Sequence, residues 1–376
     1  MVLERLNIMN YRNIAAADLA FSPQVNCFVG ANGMGKSNVL DAIYYLSFCR
    51  GFAGVQDALN VHHDADFFLL QANYSQETGV KREVCVSLKR GARKRLKVDG
   101  KDVRRVSEHV GQVPLVMIAP SDAALIQGGS EERRKFMDMV IMQYDAAYLD
   151  ALIRYESALK QRNVLLRADD EPAAALLDVL EEMMAVYGQT LFTARMQFIE
   201  AFVPLFCTTY KALSGCEHEQ VSLTYESHLQ RGPLGEQLRS GRAKERIVGY
   251  TLHGAHKDEL SLLLNGYAVK KEGSQGQQKT YLIAMKLAQY DFLRSKGEQR
   301  VPLLLLDDIF DKLDATRVKR IVDYVGSGRM GQIFITDTQR PHLDEILAMT
   351  HCRYKLFEVE HGQVSEVASD AGGEAL

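Results

Sequence analysis

Residues 30–37 read Gly30-Ala31-Asn32-Gly33-Met34-Gly35-Lys36-Ser37, a complete G-x-x-x-x-G-K-[ST] run. Before it comes Val25-Asn26-Cys27-Phe28-Val29, which is short, β-branched and aromatic. After it comes Asn38-Val39-Leu40-Asp41-Ala42-Ile43-Tyr44-Tyr45-Leu46, whose apolar groups fall at helical intervals. Strand, loop and helix in that order is the setting in which such a run binds phosphate. Its glycines let consecutive backbone N–H groups turn toward a β-phosphate at the positive end of a helix. Lys36 is placed to reach the β- and γ-phosphates, and the Ser37 hydroxyl to ligate Mg²⁺. Gly30, Ala31, Asn32, Gly33, Met34, Gly35, Lys36 and Ser37 are therefore expected to bind a nucleotide, and the local order predicts an α/β fold.

A Mg²⁺ ion at Ser37 needs a further oxygen partner, and Pro302-Leu303-Leu304-Leu305-Leu306-Asp307-Asp308 offers two. Its continuous apolar character fits a strand buried on both faces of a sheet. Asp307 is expected to hold the Mg²⁺ and its water shell, and Asp308 to orient or deprotonate the attacking water at the γ-phosphate. Gln332-Ile333-Phe334-Ile335-Thr336 reads as another such strand. Runs near Leu6–Met9, Phe67–Tyr74, Val84–Leu88 and Leu115–Ala119 make the first part of the chain strand-rich. Strand character returns at Val221–Tyr225 and Leu260–Leu264, and a helix is expected from about Gln277 to Leu293.

A chain of 376 residues with 47% hydrophobic content is long for one core, so two lobes are expected. With 45 Lys and Arg against 48 Asp and Glu, the net charge of −3 gives no global attraction to nucleic acid; binding must come from patches or from an assembled dimer. One patch stands out: Lys89, Arg90, Arg93, Lys94, Arg95, Lys97, Lys101, Arg104 and Arg105, with Asp99 and Asp102 among them. Strands joined by a basic turn would project these cations, with Arg93, Lys94, Arg95 and Lys97 as candidate contacts to a DNA backbone. A solvated hairpin whose lysines block edge aggregation is the other reading. Cys27, Cys49, Cys85, Cys207, Cys216 and Cys352 form no C-x-x-C pair and are read as reduced residues. No run of about 18 apolar residues or leader-like start appears, so a cytoplasmic protein without membrane attachment is expected.

From Glu131 to Arg167 the pattern turns helical: Phe136, Val140, Tyr144, Tyr148, Leu152, Tyr155 and Leu159 recur at steps of three and four. Leu176, Leu180, Met183, Tyr187, Leu191, Ala194, Phe198 and Phe202 form a second stripe. Ala168-Asp169-Asp170-Glu171-Pro172 separates them as a stop and restart. Two helices of about 30 residues or more, each roughly 45 to 55 Å long, would pair as an antiparallel hairpin. Arg154, Lys160, Arg162 and Arg167 lie off the stripe and are candidates to face a partner.

Four segments are similar, in order and spacing, to the Walker A, signature, Walker B and D-loop elements of ABC-type ATPases. They are Gly30 to Ser37, Gly273-Ser274-Gln275-Gly276-Gln277-Gln278-Lys279, Leu303 to Asp308, and Asp311-Lys312-Leu313-Asp314. Asn32 in the loop and the long helical insertion resemble the chromosome-maintenance and recombination branch of that class rather than transporters. Over nearly the whole chain the resemblance narrows to the RecF family of bacterial recombination mediators. It is carried by Leu6 to Ile14, by Pro120 to Asp138 with Gly128-Gly129 and Arg133-Arg134, by Lys160-Gln161-Arg162-Asn163, and by His253-Gly254-Ala255-His256-Lys257-Asp258.

What the resemblance implies is an ABC-type P-loop ATPase head, with lobe I a mixed sheet with helices, and an inserted α-helical lobe II containing an antiparallel helical hairpin. Lobe I would cover residues 1–122 and 246–364, lobe II residues 123–245, and residues 365–376 a disordered tail. It implies an ATP- and Mg²⁺-dependent homodimer in which Ser274, Gly276 and Gln277 complete the γ-phosphate site of the opposite subunit, with Asp311 and Asp314 in the D-loop. Hydrolysis would release the dimer from gapped or duplex DNA, and the cycle would aid recombinase loading with RecO and RecR as partners. The chemistry agrees, since Ser274 and the helix beginning near Gln277 offer a hydroxyl and a positive helix end to an anion.

Several positions depart from the wider class. Gly273 replaces a leucine and Gln275 a glycine in the signature, while Ser274 and Gly276 remain. Asp308 stands where transporters have glutamate, which points to slow turnover. Asp337 and Thr338 occupy the place of a switch histidine, and Ser121 or Asp122 the region of the Q-loop. His253 and His256 are read as part of a glycine-containing turn between lobes rather than a metal pair, with Lys257 a possible phosphate contact and Ala255 in place of the family's proline. A transporter subunit is disfavoured by the missing switch histidine. A nuclease-associated or anti-phage ATPase is the remaining alternative, and it usually needs a further catalytic domain.

Overall fold

The strand that feeds the phosphate loop, Val25–Val29, is buried at all 5 positions. In the computed structural model, which describes residues 1–76, 79–170, 173–297, 300–310, 314–326, 330–350 and 352–370, this strand lies inside a six-stranded sheet. The order is Gln363–Asp370, Tyr354–Glu360, Val25–Val29, Ile333–Asp337, Leu303–Asp307, Leu115–Ile118. Every pairing is parallel except that of Gln363–Asp370 with Tyr354–Glu360. Leu303, Leu304, Leu305 and Leu306 are at most 1% exposed, as the unbroken apolar run predicts for a two-faced strand. Each such side chain contributes about 1.5–3 kcal/mol by leaving water.

A second six-stranded sheet, antiparallel throughout, orders Ile14–Ala20, Val2–Tyr11, Phe67–Ser75, Lys81–Lys89, Arg95–Val98 and Lys101–Asp102. The described residues divide into two compact units. One comprises residues 1–122, 212–215 and 283–376, and the other residues 123–211 and 216–282. The expected return to lobe I at residue 246 is thus displaced to residue 283. Val221–Glu226 pairs antiparallel with Glu259–Leu264, from Glu226 opposite Glu259 to Val221 opposite Leu264. That ladder keeps the intervening segment with the helical unit, which therefore carries its own three-stranded sheet.

The expected tail is likewise corrected, because residues 363–370 form a strand with Tyr354 opposite Asp370. Residues 371–376 lie outside the described residues. The single helix expected from Glu131 to Arg167 is two, Ser130–Ile141 and Ala146–Arg167. Asp145 breaks it: its backbone is extended, and its carboxylate accepts the N–H of Tyr148 at 2.9 Å as an N-cap. The next helix runs from Ala174 to Ser214, 41 residues with Pro204 inside.

Arg162, expected to face a partner, is fully buried in the helical unit. Its guanidinium reaches Glu245 at 2.7 Å, Glu181 at 2.9 Å and the Thr251 hydroxyl at 2.8 Å. Arg195, 2% exposed, makes a second such centre with Asp258 at 2.7 Å and Asp138 at 2.8 Å. Burial alone would disfavour these charges, so each persists only with its carboxylate partners. Among the described residues no helix is long and apolar enough to cross a membrane.

Candidate nucleotide and nucleic-acid sites

Parallel pairing brings the carboxyl ends of three strands side by side. Asp307 stands opposite Thr336, Thr336 opposite Phe28, and Asp337 opposite Val29, the residue before the phosphate loop. The loop then turns through Gly33 at φ 81° and Gly35 at φ 116°, left-handed values that favour glycine. Helix Lys36–Phe48 starts at the motif's lysine with Gly35 as its N-cap, whose carbonyl accepts from Asn38 N at 3.0 Å and Val39 N at 3.2 Å, so the positive helix end adjoins the loop.

Main-chain contacts clamp this loop. A Cβ on Gly30 would stand 2.3 Å from the carbonyl oxygen of Val359, and one on Gly35 would meet the Asn13 side chain at 2.8 Å. The Met34 carbonyl accepts from Gly362 N at 2.9 Å and from Asn13 Nδ2 at 3.1 Å. Asn13 Oδ1 in turn accepts from Asn38 Nδ2 at 2.7 Å. Nothing in the sequence reading singled out Asn13 or Gly362, although Asn13 falls in the family-like Leu6 to Ile14 stretch.

Lys36 is 6% exposed, and its ammonium donates to Gly30 O at 2.7 Å and Ala31 O at 3.0 Å. Burial lowers its pKa, while the charges of Asp308, Asp307 and Asp337 oppose that shift. The Ser37 hydroxyl donates to Asp307 Oδ1 at 2.8 Å. Thr336 Oγ1 donates to the same oxygen at 2.7 Å and accepts the N–H of Asp308 at 3.0 Å. Asp308 adopts φ 51°, just past the end of the strand. Thr336 thus links both acids, a role legible only from the register. Asp337 is 5% exposed, and its carboxylate accepts from Gln339 N at 2.8 Å. Asp122, in the Q-loop region, pairs with Lys286 at 2.9 Å.

Of the D-loop residues, Asp311 lies outside the described residues. Asp314 caps helix Ala315–Gly326, accepting from Arg317 N at 2.9 Å. In the helical unit Ser274 immediately precedes helix Gln275–Lys296, two residues earlier than the expected start near Gln277. Its Oγ accepts from Gln277 N at 3.2 Å, while Gln277 Oε1 accepts from Ser274 N at 2.8 Å. This reciprocal capping box is spelled by Ser274-Gln275-Gly276-Gln277, a signal that the reading of the helix start passed over. Gly276 O accepts from Thr280 Oγ1 at 2.9 Å. A side chain in place of Gly273 would put Cβ 2.7 Å from Val269 O, which explains why leucine is absent there.

The basic hairpin forms as expected, with Ser87 opposite Arg95 and Cys85 opposite Lys97. Arg93, Arg95 and Lys97 are exposed. Lys94 instead turns inward to Asp57 at 2.7 Å and the carbonyl of Cys49, 5.5 Å over the Tyr45 ring. Arg90 spends its guanidinium on the carbonyls of Ala58, Val61, His62 and Ala65. Two of the expected cations are therefore structural, and the turn borders an open cleft of about 410 Å³ that also carries Lys89 and Arg93.

The turn at Gly254 lies within the helical unit rather than between lobes. His256 Nδ1 lies 2.9 Å from the Tyr155 hydroxyl and its Nε2 3.1 Å from Thr251 O. Burial pulls its pKa down to about 4, so the ring is a neutral structural residue near pH 7. No cluster of His, Cys, Asp and Glu suited to a metal occurs among the described residues.

Residues 2–364 match the family model of the RecF/RecN/SMC N-terminal domain. The DNA replication and repair protein RecF of Phocaeicola vulgatus is 52% identical over 366 residues, 97% of this chain and 98% of that one. RecF of Bacteroides thetaiotaomicron is 50% identical over 370 residues, 98% and 100% of the two chains. A solved structure of the recombination mediator protein RecF with ATP, from the RecFOR pathway, superposes with TM-score 0.87 at 26% identity, covering 98% of each chain. An Smc head bound to the C-winged helix domain of ScpA, at 15% identity and TM-score 0.60 over 98% and 97% of the two chains, shares the fold.

Proposed function

This chain belongs to the RecF family of DNA replication and repair proteins, within the wider RecF/RecN/SMC class of ABC-type ATPase heads, and on that premise we propose that it is an ATP-dependent DNA-binding protein of recombinational repair. One observation carries the reading: Lys36, Ser37, Asp307 and, through Thr336, Asp308 converge at the carboxyl ends of neighbouring parallel strands, where open α/β sheets place their ligands.

Residues 30–37 hold the triphosphate, and Lys36 exchanges its bonds to Gly30 O and Ala31 O for phosphate oxygens. The donor set fits Mg²⁺: Ser37 Oγ and Asp307 Oδ1 are hard oxygens 2.8 Å apart. Neighbouring ligands of an octahedral ion at 2.0–2.1 Å are separated by about 2.9 Å. An ion held by Ser37 Oγ and Asp307 Oδ1 would supply positive charge to neutralise the phosphates. Asp308 orients or deprotonates the attacking water, and its short arm makes turnover slow. Ser274, Gly276 and Gln277 meet the γ-phosphate held by a second copy, so ATP clasps a homodimer and hydrolysis releases it. Asp311 and Asp314 would act in the same dimer as D-loop residues.

Arg93, Arg95 and Lys97 contact the DNA backbone on gapped or duplex substrates, with Lys94 bracing the turn. The cycle times recombinase loading alongside RecO and RecR. DNA-stimulated ATP hydrolysis by Lys36→Arg tests the premise. A planar guanidinium does not fit a pocket shaped for a compact ammonium, so a loss of about tenfold or more is expected. Unchanged hydrolysis overturns the assignment.

A further inference from the structure

Ser274 is exposed, yet a relay of side-chain hydrogen bonds that starts outside its loop holds it in place. The relay begins at Tyr210, 1% exposed near the end of the long helix, with its ring 5.8 Å from that of Tyr281. The Tyr210 hydroxyl donates to Glu219 Oε2 at 2.6 Å. Gln277 Nε2 donates to Glu219 Oε1 at 2.8 Å, and the other end of the same amide, Oε1, accepts Ser274 N at 2.8 Å. Gln277 N then donates to Ser274 Oγ at 3.2 Å.

The direction of this relay has a chemical consequence. A primary amide has one donor end and one acceptor end, so what meets one end decides what the other presents. A carboxylate only accepts. Glu219 therefore takes Nε2 and turns Oε1 toward the Ser274 N–H. That bond fixes the Ser274 backbone, and the Gln277 main-chain N–H on Ser274 Oγ leaves the hydroxyl proton to point away from it, outward. A free proton donor is what an anionic phosphoryl oxygen requires.

We propose that Glu219 is a positioning residue for the nucleotide-sensing end of this loop: it sets the polarity of the Gln277 amide and, through it, the direction in which Ser274 offers its proton to a nucleotide on a second copy of the chain. The inference rests on the reading of Ser274 as acting across a dimer. Glu219 touches neither substrate nor metal and acts through Gln277.

Three variants of the full chain separate polarity from charge and from packing. Glu219→Gln keeps the relay, since its amide oxygen accepts from Gln277 and its NH₂ donates to a rotated Tyr210 hydroxyl. Glu219→Ala removes the acceptor. Glu219→Lys supplies only donors and turns the Gln277 amide around. Light scattering with ATP and Mg²⁺ should give a dimerisation midpoint within about twofold of wild type for Gln, raised about tenfold for Ala and more for Lys. Amide hydrogen exchange across residues 273–278 should rise in the Ala and Lys variants alone. ATP affinity of the dilute monomer and the melting temperature should stay at wild-type values in all three.

A wild-type midpoint for Glu219→Ala, or equal impairment by Gln and Lys, overturns the proposal while leaving the dimer reading intact. A wild-type chain that forms no dimer with ATP removes that reading and this inference with it.

Discussion

Around the phosphate loop most partners are main chain. Lys36 bonds the carbonyls of Gly30 and Ala31, Gly362 N bonds the carbonyl of Met34, and Gly30 stands against Val359. In the helical unit the partners are side chains: Arg162 with Glu181 and Glu245, Arg195 with Asp138 and Asp258, and Gln277 with Glu219. A site clamped by backbone inherits its precision from sheet register and stays formed whatever is bound. A loop held by side chains depends on a few polar groups, and substitution or a ligand can shift it. On the proposed function, that contrast would suit a permanent nucleotide seat in one unit and an adjustable sensor in the other.

The contrast predicts where each unit breaks. Arg162→Ala should cost about 3–5 kcal/mol in denaturant unfolding, because Glu245 is left as an uncompensated buried charge. Arg162→Met with Glu245→Leu should recover most of it. If Arg162→Ala unfolds like wild type, the helical unit does not rest on ion pairs. Gly30→Ala should cost less, about 1–3 kcal/mol, since two main-chain segments must part to admit one methyl group. The same variant should lose nucleotide affinity. Unperturbed binding would mean that the loop is not clamped by backbone.

The hairpin gives the smallest effect, one on binding rather than stability. Reversing Arg93, Arg95 and Lys97 to Glu should flatten the slope of log affinity for duplex DNA against log salt by about 2 to 3 units. Folding should be unaffected. Lys94 is left out because it braces the turn through Asp57, and an unaltered slope would exclude this hairpin as a phosphate contact.

How much of this was legible in the sequence follows the same division. Leu303–Leu306 and the glycine loop announce themselves because a two-faced strand must be continuously apolar and a phosphate loop must be glycine-rich, and Val25–Val29 does so through its β-branched and aromatic residues despite Asn26. The pairing of Ser37 with Asp307 followed from chemistry alone. Thr336 as the link between two acids did not, because it depends on which strand lies beside which. Arg162 reads as a cation free to face a partner, and nothing in the pattern marks Arg195 at all, since periodicity marks apolar faces and is silent about a charge that finds a carboxylate in the core. The break at Asp145 was hidden by a stripe of apolar residues that continues across it. The strand Gln363–Asp370 was missed because small and acidic residues favour no regular structure by themselves, and pairing with Tyr354–Glu360 supplies what local preference lacks.

The central claim is that residues 30–37 form half of a site that a second copy completes. Light scattering of the full chain with ATP and Mg²⁺, against ADP, tests it most directly when wild type and Ser274→Arg are compared. Dimer with ATP and monomer with ADP for wild type, and monomer in both for Ser274→Arg at unchanged ATP affinity, is the predicted result. A wild type that stays monomeric with ATP, or a Ser274→Arg chain that dimerises as readily, would contradict it.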